Sequence, residues 1–177
     1  MGGSVRQYEQ MPVEVIEAVE DDRTVIRRLL QLDHYDFSEF DGGDVNSHGE
    51  YLHRYLDEYW TDGDRKAFLF RIGGAWAGFA LVFAGEPRDM AEFFVLRKYR
   101  GRGAGAEAAA SLFARYPGHW TVRQQLTNPA ATAFWRKAIR YPFQEDQRGT
   151  EIAQSFTTNA GGRHPALDEP DPPGLRP

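Results

Sequence analysis

Apolar residues recur along this chain at two different spacings, which divides it into helical and extended segments. Spacings of three and four predict two early helices. The first begins after Asp21 or Asp22, either of which can cap it, and the second begins at Ser47, which forms a capping box with Glu50. Their apolar faces are Val25, Ile26, Leu29, Leu30 and Leu32 in the first helix and Tyr51, Leu52, Tyr55, Leu56 and Tyr59 in the second. The polar residues 33–46 between the two helices are predicted to form a loop.

Short runs rich in β-branched and aromatic residues predict six strands. These strands cover residues 13–19, 67–72, 76–84, 90–96, 119–126 and 150–156. Gly73-Gly74 predicts a tight hairpin between the second and third of them. Two more helices are predicted, one ending near Arg115 before Pro117-Gly118 and one beginning with Asn128 as its cap and Pro129 in its first turn.

This order of elements predicts the α/β class in its α+β form, a single domain with one mixed, mostly antiparallel sheet flanked by helices. The domain is expected to cover residues 13–158. Residues 1–12 are predicted to be a flexible arm. Residues 159–177 contain five prolines and few large apolar side chains, so they are predicted to be a disordered tail.

The composition excludes several classes of protein. A chain of 177 residues with 41% hydrophobic residues can build one substantial core. The net charge of −5 argues against a nucleic-acid partner, and the absence of cysteine excludes disulfides and a cysteine nucleophile. The sequence has no apolar run of about 18 residues that could span a membrane and no apolar signal core near residue 1. We therefore expect a cytoplasmic protein, monomeric or homodimeric, with no membrane or nucleic-acid partner.

A glycine-rich junction joins the strand at 90–96 to the helix that follows it. Gly101, Gly103 and Gly105 lie at alternate positions, among four basic residues: Arg97, Lys98, Arg100 and Arg102. A helix N-terminus presents unpaired amides and a positive dipole end, and glycine lets a ligand approach the backbone closely. The junction therefore predicts a phosphate or pyrophosphate site. The alternative is a closely packed helix start with a solvated basic face.

Two familiar phosphate motifs fit this junction poorly. A P-loop needs Lys followed by Ser or Thr after its glycines, and neither pair occurs here. A dinucleotide fingerprint can be placed on Gly101, Gly103 and Ala106, but an antiparallel meander precedes it. The strand at 119–126 also offers no acidic residue for a ribose. A dinucleotide-binding protein remains a remote alternative.

The segment 100–105, R-G-R-G-A-G, fits the pattern R-x-x-G-x-G and resembles the acyl-CoA-binding motif of the GNAT superfamily of N-acetyltransferases. The segment NPAATAFWRKA at 128–138 is similar to that family's Asn-initiated helix, and residues 13–156 follow the family's order of elements. The segments DFSEF and FWRK also resemble a bacterial subgroup with some likeness to aminoglycoside acetyltransferases.

The resemblance implies acetyl-CoA as co-substrate and a sheet that splays open after the motif strand. Strand backbone would bond the pantetheine arm and the thioester oxygen, junction amides would hold the pyrophosphate, and basic side chains would reach the phosphates. The implied cofactor contacts are Phe94, Val95, Leu96, Arg100, Gly101, Arg102, Gly103, Ala104, Gly105, Ala106, Asn128, Ala131, Phe134 and Lys137.

The resemblance also implies direct acyl transfer from the thioester to an amine, for which a carboxylate can act as general base. Glu92, three residues before Val95, is the predicted base. The alternative is a strand-edge carboxylate paired with a basic neighbour. Simple alternation places Glu92, Phe94 and Leu96 on one face and Phe93 and Val95 on the other, and a bulge in the strand would change that assignment.

One position departs from the family pattern. Trp135 stands where many members have a Tyr that is thought to protonate the leaving thiolate, and an indole is not a general acid. Three explanations stay open: the thiolate leaves unassisted, Tyr99 or Tyr141 substitutes, or the protein is a catalytically weak or inactive CoA-binding module.

An acidic and aromatic stretch contains no Lys or Arg between Arg28 and Arg54. Five of its residues are predicted to bind the acceptor: Asp33, Tyr35, Asp36, Glu39 and Asp41. Such a wall favours a small cationic amine, of the aminoglycoside or polyamine type, whereas the alternative is a solvated acidic loop. The five histidines have no metal-ligand spacing, so no metal is predicted. His34, beside Asp33, is a secondary candidate for the base.

Overall fold

Seven strands form one sheet in the order β1-β2-β3-β4-β5-β7-β6 in the computed structural model, which describes residues 11–159. The strands are β1 (Glu14–Glu17), β2 (Arg65–Ile72), β3 (Ala75–Phe83), β4 (Arg88–Val95), β5 (Gly118–Gln125), β6 (Phe143–Arg148) and β7 (Glu151–Thr158). The helices are α1 (Arg23–Asp41), α2 (Ala104–Arg115) and α3 (Pro129–Ala138). Short 3-10 turns lie at Glu20–Asp22, Leu56–Trp60 and Arg97–Tyr99.

The sheet opens between its two central strands. Every neighbouring pair is antiparallel except β4 and β5, which run parallel. Their pairing covers only Arg88–Met90 against Trp120–Val122, although β4 continues to Val95 and β5 to Gln125. The ends of these two strands therefore diverge and leave a gap. The predicted fold class, including the splay after the motif strand, is confirmed.

Each face of the sheet carries its own hydrophobic core. On one face α1 and the turn at Leu56–Trp60 cover side chains such as Leu69 and Phe79. On the other face α2 and α3 cover a larger cluster that contains the fully buried Trp120. The indole N–H of Trp120 donates to the Tyr116 carbonyl at 2.8 Å. Among the described residues, no helix has the length and apolar character needed to cross a bilayer.

The prediction of a loop over residues 33–46 is wrong, because α1 continues to Asp41. The segment DHYDFSEFD contains no Gly or Pro, so nothing in it stops the helix. Gly42 ends it, with a left-handed φ of 70° and an N–H that donates to the Ser38 carbonyl. The predicted apolar face of this helix is also too wide, because it includes Leu32, which is 47% exposed.

The predicted second helix from Ser47 is also wrong, since only a 3-10 turn forms at Leu56–Trp60. The side chain of Asn46 accepts hydrogen bonds from the N–H groups of His48 and Glu50 and so folds this segment into a turn. Gly49 has a φ of 77°, which interrupts any helix there. The capping box at Ser47 is therefore not used.

The sequence pattern missed strand β6. All of its residues except Phe143 are exposed, so the segment has no apolar alternation to reveal it. It forms because β7 pairs with it from Phe143 to Arg148. The predicted arm and tail lie outside the described residues, apart from residues 11, 12 and 159.

We predict that Gly78→Ala destabilises the fold by about 1–3 kcal/mol, the usual cost of overpacking. A Cβ on Gly78 would overlap the carbonyl oxygen of Phe94 and approach the Val95 Cα to 3.0 Å, so β4 would have to move. Urea unfolding measures the change. Gly63→Ala is the matched control, because no atom lies within 4 Å of its Cβ position; equal stabilities for the two variants would contradict the prediction.

Candidate active site

A bulge interrupts β4 immediately before Glu92. Leu81 of β3 pairs with Glu92 and Val82 pairs with Met90, so Ala91 is an extra residue. The bulge brings Met90 and Phe93, three positions apart, into the same core cluster. Alternation is regular from Glu92 onward, so Glu92 lies on the same face as Phe94, beneath α1. The side chain of Glu92 is 30% exposed.

Beyond the bulge, one edge of β4 faces the gap. The N–H of Leu96 donates to the Ala77 carbonyl at 2.8 Å, and the Leu96 carbonyl accepts from Tyr99 N–H at 2.9 Å. Because backbone groups alternate in direction along a strand, those of Phe94 also point toward β3, whereas those of Phe93 and Val95 point into the gap. Of the three predicted backbone contacts, Val95 is the one directed there. Phe93 was missed, although the same alternation could have found it.

The glycine junction holds its backbone in a conformation that other residues avoid. Gly101 and Gly103 have φ values of 73° and 84°, in the left-handed region that favours glycine. No heavy atom lies within 4 Å of the Cβ position of either. The first hydrogen bond of α2 runs from Glu107 N–H to the Gly103 carbonyl, so the amides of Ala104, Gly105 and Ala106 lack helical partners. The junction thus combines amides without helical partners with open space at Gly101 and Gly103, and the exposed side chain of Arg102 lies beside them.

One wall of the gap is built where α2, α3 and β4 meet. A Cβ on Gly105 would lie 3.1 Å from Phe134 Cε2 and 3.6 Å from Val95 Cγ2. The ring of Phe134 also stacks on that of Phe93 at 5.8 Å. The predicted cap of α3 is confirmed, since Asn128 Oδ1 accepts from Ala131 N–H at 3.0 Å. Lys137 is exposed on α3.

An ion-pair cluster fastens α1 to the junction. Two N–H groups of Arg97 donate to Asp36 Oδ1 at 3.0 and 2.8 Å. Arg100 Nη2 donates to Asp36 Oδ2 at 2.6 Å, and its Nε donates to the Val95 carbonyl at 2.6 Å. Burial alone would raise the pKa of Asp36, but the hydrogen bonds from both arginines outweigh it and lower that pKa. The charge of Asp36 is thus compensated inside the protein, and the Arg100 guanidinium is engaged on the α1 side of the strand.

Two other carboxyl groups lie without such compensation. Burial raises the pKa of Glu92 to about 8, and the charges of Asp33 and Asp89 add to the effect. Burial likewise raises the pKa of Asp33 to about 7, with Asp36 adding to it and Arg100 opposing it. Both groups therefore titrate near neutral pH, which is the range in which a carboxyl can take up a proton from a substrate.

The remaining predicted acceptor residues do not join this pair. Tyr35, Glu39 and Asp41 are exposed along α1, and the Tyr35 side chain is 66% exposed. The structure therefore brings Asp33 to Glu92, holds Asp36 on the two arginines, and leaves the other three at the surface. Within residues 11–159, no group of three or more acidic or histidine side chains is arranged to hold a metal ion.

Trp135 and the two tyrosines considered as proton donors to the thiolate, Tyr99 and Tyr141, pack against other aromatic or core residues. Trp135 is 5% exposed and contacts Phe93 at 5.0 Å between ring centroids. Tyr99 is 3% exposed in the same core. Tyr141 stacks on Phe156 at 5.9 Å, beside a groove of about 600 Å³ bordered by β5, β6 and β7.

Comparison with known proteins places this arrangement in a family. The model of the acetyltransferase (GNAT) family matches residues 26–139. No curated protein sequence matches the chain. Among solved structures, an acetyltransferase from Thermus thermophilus is 19% identical, with 83% of this chain and 97% of that one covered and a TM-score of 0.67.

Two further structures share the fold. A GNAT-family acetyltransferase from Streptococcus agalactiae is 13% identical, with 83% and 96% of the two chains covered and a TM-score of 0.65. RimL, a ribosomal L7/L12 alpha-N-protein acetyltransferase solved in complex with coenzyme A, is also 13% identical, with 84% and 96% covered and a TM-score of 0.61.

We predict that Asp36→Asn lowers stability by about 1 kcal/mol, the range of partly exposed ion pairs. Since the pKa of Asp36 is lowered in the folded protein, its contribution is complete above the unfolded pKa of about 3.9 and is lost as the pH falls through the folded value. Urea unfolding at several pH values should therefore show a gap between wild type and variant that closes below about pH 4. Asp44→Asn, an exposed site past the end of α1, controls for the loss of one negative charge; a pH-independent gap would refute the ion-pair interpretation.

Proposed function

The chain belongs to the GNAT family of acetyltransferases, and we propose that it moves an acetyl group from acetyl-CoA to a primary amine of a small cationic acceptor. One observation carries the proposal: the edge of β4 that β5 leaves uncovered leads from Glu92 to the amides of the glycine junction. The two ends of that edge suit the two partners of the reaction. The acceptor amine lies at the Glu92 end and the diphosphate of the co-substrate lies at the junction.

Acetyl-CoA is held chiefly by backbone. The amides from Gly101 to Ala106 receive the diphosphate, as helix N-termini do, and Arg102 and Lys137 add positive charge at the surface. The pantetheine arm lies in the gap against Phe134, Ala131 and the outward backbone groups of Phe93 and Val95. RimL, which has the same fold, was solved in complex with coenzyme A, which supports acetyl-CoA as the co-substrate.

Glu92 is the general base. An alkyl ammonium has a pKa of about 10 and cannot attack until it loses a proton, and a carboxyl with a pKa of about 8 is matched to that task near neutral pH. The neutral amine then attacks the thioester carbon and the N–C bond forms. As the C–S bond breaks, the nitrogen loses its second proton to solvent and the released thiolate takes one up, which gives the amide and the free thiol of coenzyme A. The Val95 N–H donates to the oxyanion of the tetrahedral intermediate.

The acceptor class follows from charge. Asp33 and Glu92 are neighbouring carboxyl groups on this side of the sheet, each with a raised pKa. An ammonium group beside them would favour their ionised forms and be attracted in turn. Asp36 does not contribute, because Arg97 and Arg100 neutralise it. Aminoglycosides and polyamines have the required amines, and an aminoglycoside-type antibiotic is the acceptor that the subgroup resemblance favours.

A second candidate is a CoA-binding module with weak turnover. Trp135 favours it, because the position held by a Tyr in many relatives carries no ionisable group here. The thiolate has a conjugate pKa of about 8.5 and can leave unassisted, which is why we prefer the enzyme. Release of free thiol from acetyl-CoA, assayed with aminoglycosides, polyamines and peptide N-termini, separates the two: coenzyme A binding without thiol release on any amine would establish the module.

We predict that Gly103→Glu abolishes binding of coenzyme A, because the new carboxylate would stand among the amides that receive the diphosphate. Isothermal titration calorimetry measures the affinity. Gly74→Glu is the matched control, since Gly74 has a similar φ of 80° and open surroundings but lies in the hairpin between β2 and β3. Unchanged affinity in Gly103→Glu would place the diphosphate elsewhere.

We predict that Glu92→Gln lowers kcat/KM for the amine about a hundredfold, within the usual range for general-base catalysis, and leaves the affinity for acetyl-CoA unchanged. The wild-type advantage should grow with pH up to about 8, the pKa of Glu92, because the deprotonated carboxyl is the active form. The ratio of the wild-type kcat/KM to that of the variant at each pH cancels the effect of the amine's own ionisation, because both enzymes use the same amine. Glu151→Gln, exposed at the start of β7, serves as control, and a Glu92→Gln enzyme of full rate would exclude this base.

A further inference from the structure

A side-chain clamp holds the segment after α1 against that helix. The amide of Gln31 makes two hydrogen bonds with the backbone of Tyr51: Nε2 donates to the Tyr51 carbonyl at 2.9 Å, and Tyr51 N–H donates to Oε1 at 2.8 Å. Both bonds are partly buried. The clamp fixes the chain two residues before His53.

The clamped segment places His53 next to the carboxyl of Glu92. His53 Nδ1 lies 3.9 Å from Glu92 Oε1, and the His53 side chain is 15% exposed. Its ring centroid is 5.7 Å from that of His34, which lies on α1 and whose Nε2 is buried without a hydrogen-bond partner. His34, His53 and Glu92 therefore form a row that reaches from α1 to β4.

We propose that His53 is a positioning residue for Glu92: it receives the proton that Glu92 takes from the acceptor amine and passes it to solvent. The inference rests on the proposed function, in which Glu92 is the base. Glu92 carboxylate takes one proton from the ammonium and becomes a carboxylic acid. That proton moves to His53 Nδ1, the imidazolium releases the proton on Nε2 to water, and Glu92 is again a carboxylate. One proton therefore reaches solvent in each turnover. This matches the overall reaction, in which an ammonium and a thioester give an amide, a thiol and one proton.

The groups around this pair set the relative proton affinities of Glu92 and His53. Four titratable groups face this pair: Asp33 and His34 of α1, Asp89 of β4 and Tyr59 of the 3-10 turn. Two arginines act on these groups in turn, Arg100 on Asp33 and Arg65 on Tyr59. Burial and the neighbouring His34 lower the pKa of His53, so its imidazole is neutral near pH 7. Because burial raises the pKa of Glu92 to about 8, the transfer from Glu92 runs uphill, and the imidazolium is a short-lived step between Glu92 and water. Burial raises the pKa of Tyr59 to about 12, so Tyr59 stays protonated.

Imidazole titration by NMR on the full chain tests the proposal without any activity measurement. Two groups that share a proton titrate in common steps, so the His53 ring nitrogens should show two inflections between about pH 5 and 9.5. The upper inflection should coincide with ionisation of Glu92 and should vanish in Glu92→Gln. A single inflection at His53, unchanged in Glu92→Gln, would overturn the proposal whether or not the chain acetylates amines.

Kinetics give the second readout. In His53→Gln, kcat/KM for the amine should fall about tenfold at pH 7, the equivalent of about one pKa unit, with its rising limb moved to higher pH and the KM for acetyl-CoA unchanged. His48→Gln, exposed in the same segment, should leave the profile unchanged and so separates loss of the imidazole from disturbance of the segment. A His53→Gln profile that superimposes on that of wild type would refute the role of His53, whereas a full-rate Glu92→Gln enzyme would refute the base itself.

Discussion

The separation of β4 from β5 after Met90 and Val122 is the constraint on which the rest of the structure depends. A strand edge inside a protein must find partners for its N–H and C=O groups, and beyond this point β5 no longer supplies them to β4. The side chain of Arg100 satisfies the Val95 carbonyl, and the neighbouring N–H groups remain directed into the gap. The pantetheine arm of acetyl-CoA carries amides that can pair with such an edge, so the backbone that β5 leaves uncovered is suited to the binding surface we propose.

Both cores cooperate to keep that gap open. On one side Phe93, Phe134 and Trp135 form a packed aromatic cluster that fixes α3 against β4. On the other side Gly78 lets β3 approach the Phe94 carbonyl more closely than any other residue would permit. The gap is thus bounded by close-packed side chains rather than by loops, as the accurate placement of a thioester requires.

Acidic residues on α1 serve two separate purposes. Asp36 is paired with Arg97 and Arg100 and fastens the helix to the junction. Asp33, one turn earlier, forms no such ion pair, and burial raises its pKa to about 7. The two residues lie three positions apart, so they are on nearly the same face of α1 but one turn apart along its axis. Asp36 therefore reaches the junction after β4, whereas Asp33 lies near Glu92 within β4. One helix therefore carries both a carboxyl with a raised pKa and a carboxyl held in an ion pair.

The sequence by itself determined the strands of the meander, the glycine junction, the Asn128 cap and the family resemblance, because each rests on local rules of periodicity, backbone conformation or capping. It also singled out Glu92, whose spacing from the junction is a property of the chain alone. Only the tertiary structure decided the length of α1, the pairing that creates β6, and the fate of each acidic residue on α1. Whether the charge of a carboxyl such as Asp36 is neutralised depends on Arg97 and Arg100, some sixty positions away along the chain. The contact between His53 and Glu92 likewise depends on the hydrogen bonds between Gln31 and Tyr51. Local pattern contains no information on such distant partners, because burial and charge compensation are set by the packing of whole elements rather than by neighbouring residues.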